Sequence, residues 1–239
     1  NVAGQLDEIE KRIMAGLKDF QRATVNRIDE LYRAGQIRVL VSDEVGLGKT
    51  LIARGTIAKL AKLQKESGDN LVKVVYVCSN ASIAEQNLNK LRITSELKTE
   101  STSSSRLSMR HLNIFKQEND TELLNRYIQL IPLTPDTSFR MTSGAGTVSE
   151  RALIYAILRR MPELSMYRKA LEVAMEDYAV SAWDGWARDW YETQVKECDK
   201  TSGGKYLAYM LEKLSAELNM QADGKNNILD MIISMCKQI

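Results

Sequence analysis

The residue types suited to gripping a phosphate fall together in Asp43-Glu44-Val45-Gly46-Leu47-Gly48-Lys49-Thr50. Gly46 and Gly48 let main-chain N–H groups turn toward an anion, and the N-terminus of a following helix adds partial positive charge. Lys49 is placed to reach the terminal phosphates of a nucleotide, and Thr50 to offer its hydroxyl to Mg²⁺. Glu44, Gly46, Leu47, Gly48, Lys49 and Thr50 therefore form the candidate nucleotide-binding set, with Lys49 and Thr50 as its catalytic members. The general phosphate-loop spacing calls for a glycine five residues before Gly48, where Asp43 stands.

Such a loop works only between a strand and a helix. The apolar run Ile37-Arg38-Val39-Leu40-Val41 predicts a buried strand ahead of it. Residues 51–65 predict a helix with Ile52, Ile57, Leu60 and Leu63 on its core face, stopped by Ser67-Gly68-Asp69-Asn70. Residues 71–78, rich in β-branched side chains, read as the next strand, so strand, helix and strand form a parallel, right-handed βαβ unit. Upstream, Leu6, Ile9, Ile13 and Leu17 mark one amphipathic helix, and a second runs over residues 18–34 to Gly35.

Asp43 to Thr50 closely resembles the nucleotide loop of superfamily 2 helicases, most of all the Swi/Snf-like translocases. The resemblance covers residues 17 to about 140. Leu17-Lys18-Asp19-Phe20-Gln21 is similar to the glutamine motif of those enzymes, which implies that Gln21 hydrogen-bonds an adenine ring as donor and acceptor. Ser79 and Asn80 follow the second strand where the family grips a nucleic-acid backbone. Thr134, closing the strand-like run 127–135, matches a later strand-gripping motif and becomes a third nucleic-acid candidate. The resemblance implies an α/β fold, a RecA-like parallel sheet flanked by helices. It further implies ATP and Mg²⁺ as cofactors, ATP hydrolysis, and motion along duplex DNA; some such relatives act in defence against foreign DNA.

The rest of the chain is different in character. Ser82 and Glu85 have capping-box spacing ahead of a helix, residues 98–108 read as a Ser/Thr-rich surface loop, and residues 136–146 as a connector. Thr147 and Glu150 open an all-helical module, with helices expected over 151–161, 164–179, 183–198, 205–219 and 227–237. Trp183, Trp186 and Trp190 share one side of a helix at this spacing and are expected in its core rather than stacked on bases. Two domains follow: a partial RecA-like lobe over 1–146 and a helical module, read as an insertion, over 147–239.

At 239 residues, 44% hydrophobic and 27% charged, the chain can bury a substantial core, and a net charge of +2 argues neither for nor against nucleic acid. Cys78, Cys198, Cys236 and the single His111 lack the spacing of a zinc site, and scattered cysteines suit a reducing, cytoplasmic setting. No run approaches the roughly 20 apolar residues that span a bilayer. After residue 50 no strand ends in the Asp-Glu pair that would hold Mg²⁺ and align water. With Asn1 first and Ile239 ending an apolar stretch, the chain is expected to be part of a larger helicase, inactive without the second RecA-like lobe. The alternative is a nucleotide-switched module of AAA+ or signalling type whose helical part binds a protein.

Overall fold

The computed structural model describes residues 1–42, 44, 46–99, 106–138, 146–220 and 226–239. They divide into two compact units, Asn1–Leu107 with Asp120–Arg140, and Ser108–Asn119 with Met141–Ile239. The segment 108–119 thus belongs, by its packing, with the helices of the C-terminal part.

In the first unit, α1 (Val2–Ala15) and α2 (Asp19–Arg33) pack against α3 (Lys49–Glu66). Leu6, Ile9 and Ile13 of α1 meet Ala58 and Ala61 of α3, while Val25 and Ile28 of α2 meet Ile52. Acidic side chains on α1 and α2 face lysines on α3: Lys59 pairs with Glu10 at 2.9 Å and Lys62 with Asp7 at 2.8 Å. Gly55 permits the close approach, since a Cβ there would lie 3.0 Å from Val25 Cγ2 and 3.2 Å from Leu17 Cδ1. β1 (Val72–Val77) follows, then α4 (Ala81–Leu91). In the second unit comes α5 (Arg110–Glu118), and the chain returns to the first for α6 (Leu123–Tyr127), β2 (Ile128–Leu133) and the short α7 (Pro135–Ser138). β1 and β2 pair in parallel, Val72 against Ile128 through Val77 against Leu133. The unit is mostly helical around this small parallel sheet, which keeps it within the α/β class.

The expected strand at 37–41 does not form. That segment has no regular secondary structure, and Ile37 and Leu40 are 80% and 88% exposed. The reason is the absence of neighbours. A buried parallel strand needs a partner on each edge, and among the described residues the only named strands are β1 and β2, which pair with each other. Val39 and Val41 still lean on the Leu17, Val25, Ile28 and Ile52 cluster. Cavities of about 320 and 410 Å³ lie beside this segment. The smaller is lined by Val39 and Val41 and by the consecutive residues Val74, Val75 and Tyr76, among others. Alternate strand residues point to opposite faces, so three in a row lining one cavity place it along the edge of β1 that β2 leaves unpaired.

Every named element among the described residues of the second unit is a helix or helical turn. Thr147 caps α8 (Val148–Leu158) reciprocally with Glu150, Thr147 N–H donating to Glu150 Oε2 at 2.9 Å, as the capping-box spacing predicts. A 3₁₀ segment over Pro162–Tyr167 leads into α9 (Arg168–Glu176), followed by α10 (Val180–Ala182) and a π-helical turn over Trp183–Ala187. Then come α11 (Arg188–Thr201), α12 (Lys205–Leu218) and α13 (Ile228–Cys236). The tryptophan stripe is broken by that turn. Its wider winding shifts the register, so Trp183 is buried against Tyr155 while Trp186 and Trp190 are about half exposed.

Candidate functional site: the phosphate loop

Gly46 and Gly48 both sit in left-handed backbone, at φ of +90° and +82°, which is the conformation the sequence asked glycine to supply. Gly48 is also the N-cap of α3, and no side chain caps that helix. Its carbonyl accepts from Leu51 N–H at 2.8 Å and Ile52 N–H at 3.1 Å, which starts the helix immediately after the turn. Among the described residues, the N–H groups of Gly46, Gly48 and Thr50 donate to no main-chain carbonyl. A helix start without a side-chain cap, reached through two glycines of positive φ, fits an anion on the chemistry of the donors alone. Lys49 Nζ donates to the Glu44 carbonyl oxygen at 2.9 Å, so the ammonium lies over its own loop. Thr50 is half-buried in the first turn of α3, while Glu44 and Leu47 are on the surface. Asp43 and Val45 lie outside the described residues.

Gln21 is brought to the same loop, in a manner the sequence did not suggest. It is 4% exposed. Its Oε1 accepts from Lys18 N–H at 3.1 Å, which satisfies a donor at the start of α2, and its Nε2 donates to the Leu47 carbonyl oxygen at 3.0 Å. Next to it, Arg22 braces the α1–α2 corner through Nε to the Met14 carbonyl at 3.1 Å and Nη2 to the Leu17 carbonyl at 2.9 Å. Lys18 and Gln21 stand at N-cap and N3 spacing, and that spacing was the available clue to the capping contact. No sequence pattern signals the bond to Leu47.

The three nucleic-acid candidates leave the C-terminal ends of the two paired strands, where Cys78 N–H donates to the Leu133 carbonyl at 3.0 Å. Ser79 is exposed. Asn80, not Ser82, caps α4, its Oδ1 accepting from Ile83 N–H at 3.2 Å. Asn80, three residues past the end of β1, is in the extended geometry of an N-cap two residues before Ser82, which is why the Ser82–Glu85 spacing misplaced the cap. Thr134 is fully buried at 0% exposure, its N–H donating to Ser138 Oγ at 3.1 Å and its hydroxyl bonded to that of Thr137.

Elsewhere the chemistry-bearing side chains are structural. Burial lowers the His111 pKa to about 4, partly countered by a backbone hydrogen bond at Ser108, and its Nδ1 lies 3.0 Å from the Tyr206 hydroxyl. Burial likewise raises the Cys198 thiol to about 11, away from nucleophilic use. Among the described residues there is no cluster of His, Cys, Asp and Glu able to hold a metal, and no helix long and apolar enough to cross a membrane.

Comparison with known proteins bears on the same stretch. No curated protein and no solved structure matches the chain. Residues 15–131, just under half of it, match the family described as type III restriction enzyme, res subunit. That family is one of superfamily 2 helicase N-terminal lobes, an ATPase type of domain, so the segment holding Gln21, the phosphate loop, β1 and the start of β2 is similar to a helicase lobe.

Proposed function

We propose that this chain forms the first motor lobe of an ATP-dependent helicase or translocase of the Swi/Snf-like type, acting on nucleic acid, with duplex DNA as the substrate. The observation that carries the reading is the uncapped start of α3, with Gly46 and Gly48 in left-handed backbone and Lys49 over the turn, inside the helicase-like segment. Bound Mg-ATP would supply the phosphoryl group for transfer. Main-chain amides of the loop and Lys49 hold its phosphates, and Thr50 supplies a hydroxyl for the metal. Residues 1–146 serve as the nucleotide lobe. Residues 147–239 serve as a helical insertion available to a protein partner. Ser79 and Asn80, on the surface, follow one nucleic-acid strand through its backbone, and Thr134, buried in the fold, would reach it only if the turn at Thr134–Ser138 opened.

The cavity between Val39–Val41 and the free edge of β1 supports the further proposal that the sheet is completed by polypeptide outside residues 1–239. Such a strand would bring the missing Asp-Glu pair beside the phosphate loop, and the second RecA-like lobe would belong to the same parent enzyme. In that intact protein, Lys49→Ala is expected to abolish nucleic-acid-stimulated ATP turnover; undiminished turnover would refute the reading.

The burial of Thr134, with its hydroxyl taken by Thr137, favours a second reading in which the chain is a nucleotide-switched module that binds protein instead. ATP turnover insensitive to added DNA and RNA, together with nucleotide-dependent capture of a protein, would select it.

A further inference from the structure

Gln21 is among the most buried polar side chains of the first unit, and both ends of its amide are engaged with main chain. One end closes the start of α2; the other reaches 26 residues along the chain to the carbonyl of Leu47, between the two glycines of the phosphate loop. The contact is tight on both sides. A Cβ at Gly48 would stand 2.5 Å from Gln21 Nε2, so the glycine is needed for the amide to fit, and the amide lies directly against the turn. The base of this strut is fixed as well, because Arg22 ties the same corner to Met14 and Leu17, and α2 is packed onto α3 through Val25, Ile28 and Ile52.

We propose that Gln21 is a positioning residue for phosphate: it holds the Leu47–Gly48 turn in its anion-ready shape before any nucleotide arrives. This inference rests on the phosphate-loop reading above and deepens it. An amide whose oxygen caps a helix and whose nitrogen is spent on Leu47 retains only part of its donor and acceptor capacity for a base. Its main effect therefore falls on the triphosphate, whichever base is attached. Loss of one such buried hydrogen bond is expected to weaken anion binding about tenfold.

The test separates this role from base reading and from simple stabilisation. Two variants are compared with wild type: Gln21→Met, which keeps length and removes both polar ends, and Gln21→Glu, which keeps the oxygen for Lys18 N–H and deletes the donor to Leu47. Amide hydrogen exchange of Leu51 and Ile52, whose N–H groups are held by the Gly48 carbonyl of the loop, is measured without ligand, and Mg-ATP and Mg-tripolyphosphate are titrated by calorimetry. The expected result is faster exchange at the loop in both variants, and an equal, roughly tenfold loss of ATP and tripolyphosphate affinity in Gln21→Met. A loss confined to ATP would make Gln21 a base reader and overturn the proposal. Unchanged loop exchange in Gln21→Glu would overturn it too, because there the donor to Leu47 is gone, and an acceptor oxygen faces the carbonyl in its place, while the oxygen for Lys18 N–H is kept. Lys49→Ala in the wild-type background keeps the two levels apart: if it leaves tripolyphosphate binding untouched, the phosphate loop itself fails, and Gln21 with it.

Discussion

Replacing Gly48 by alanine has two separable consequences. At φ of +82° any Cβ carries the left-handed penalty of about 1–2 kcal/mol. At this position the new methyl would also meet Gln21 Nε2 at 2.5 Å and displace it from Leu47, costing about 1 kcal/mol more for the hydrogen bond. Gly46 is the internal control, since it has φ of +90° with no atom near its would-be Cβ, so Gly46→Ala bears the backbone penalty alone. Both strains fall on the turn whose carbonyl receives Leu51 and Ile52 N–H, so the readout is local opening of the first turn of α3 by amide exchange. With about 1.4 kcal/mol per tenfold, Gly48→Ala should speed exchange there roughly 30- to 150-fold, and Gly46→Ala roughly 5- to 30-fold. If Gly46→Ala proved as damaging as Gly48→Ala, the packing of Gln21 against the loop would be refuted. If neither changed exchange, the left-handed turn itself would be.

Other outcomes follow from the same geometry. Gly55→Ala should destabilise the first unit by about 1–3 kcal/mol in urea unfolding, because its methyl would press on Val25 and Leu17; an unchanged midpoint would mean that α2 and α3 do not sit this close. Asn80→Ala should cost about 1 kcal/mol and Ser82→Ala under about 0.5 kcal/mol, and the reverse order in thermal unfolding would return the cap to Ser82. Burial holds the folded His111 pKa near 4, below its ordinary value, so the unfolded chain binds the extra proton first. Stability of the helical unit should therefore fall as pH drops from about 6.5 toward 4, and His111→Gln should flatten that part of the profile relative to wild type. An identical pH dependence in the variant would place the imidazole in solvent.

Where local chemistry decides the structure, the sequence was readable. The glycines of the loop take positive φ, Thr147 and Glu150 cap each other, and the helices over residues 2–66 lie where apolar spacing put them. Where the outcome depends on neighbours, it was not. Residues 37–41 have the composition of a buried strand, yet among the described residues no strand pairs with them, and side-chain type cannot announce whether a partner is there. The tryptophan spacing assumed uninterrupted α-helix, and one π turn sends Trp186 and Trp190 outward. Gln21 shows the limit most clearly. Its proximity to the loop in the fold follows from α2 packing on α3, while its partner, a carbonyl, carries no side-chain signature at all.

The central claim is that the bend from Gly46 to Thr50 receives a triphosphate. Calorimetric titration of Mg-ATP into this chain and into its Lys49→Ala variant addresses it most directly. Saturable one-to-one binding, weakened at least tenfold in the variant, is the result expected from a charge-assisted phosphate contact. Binding that is absent from both proteins, or equal in both, would contradict it.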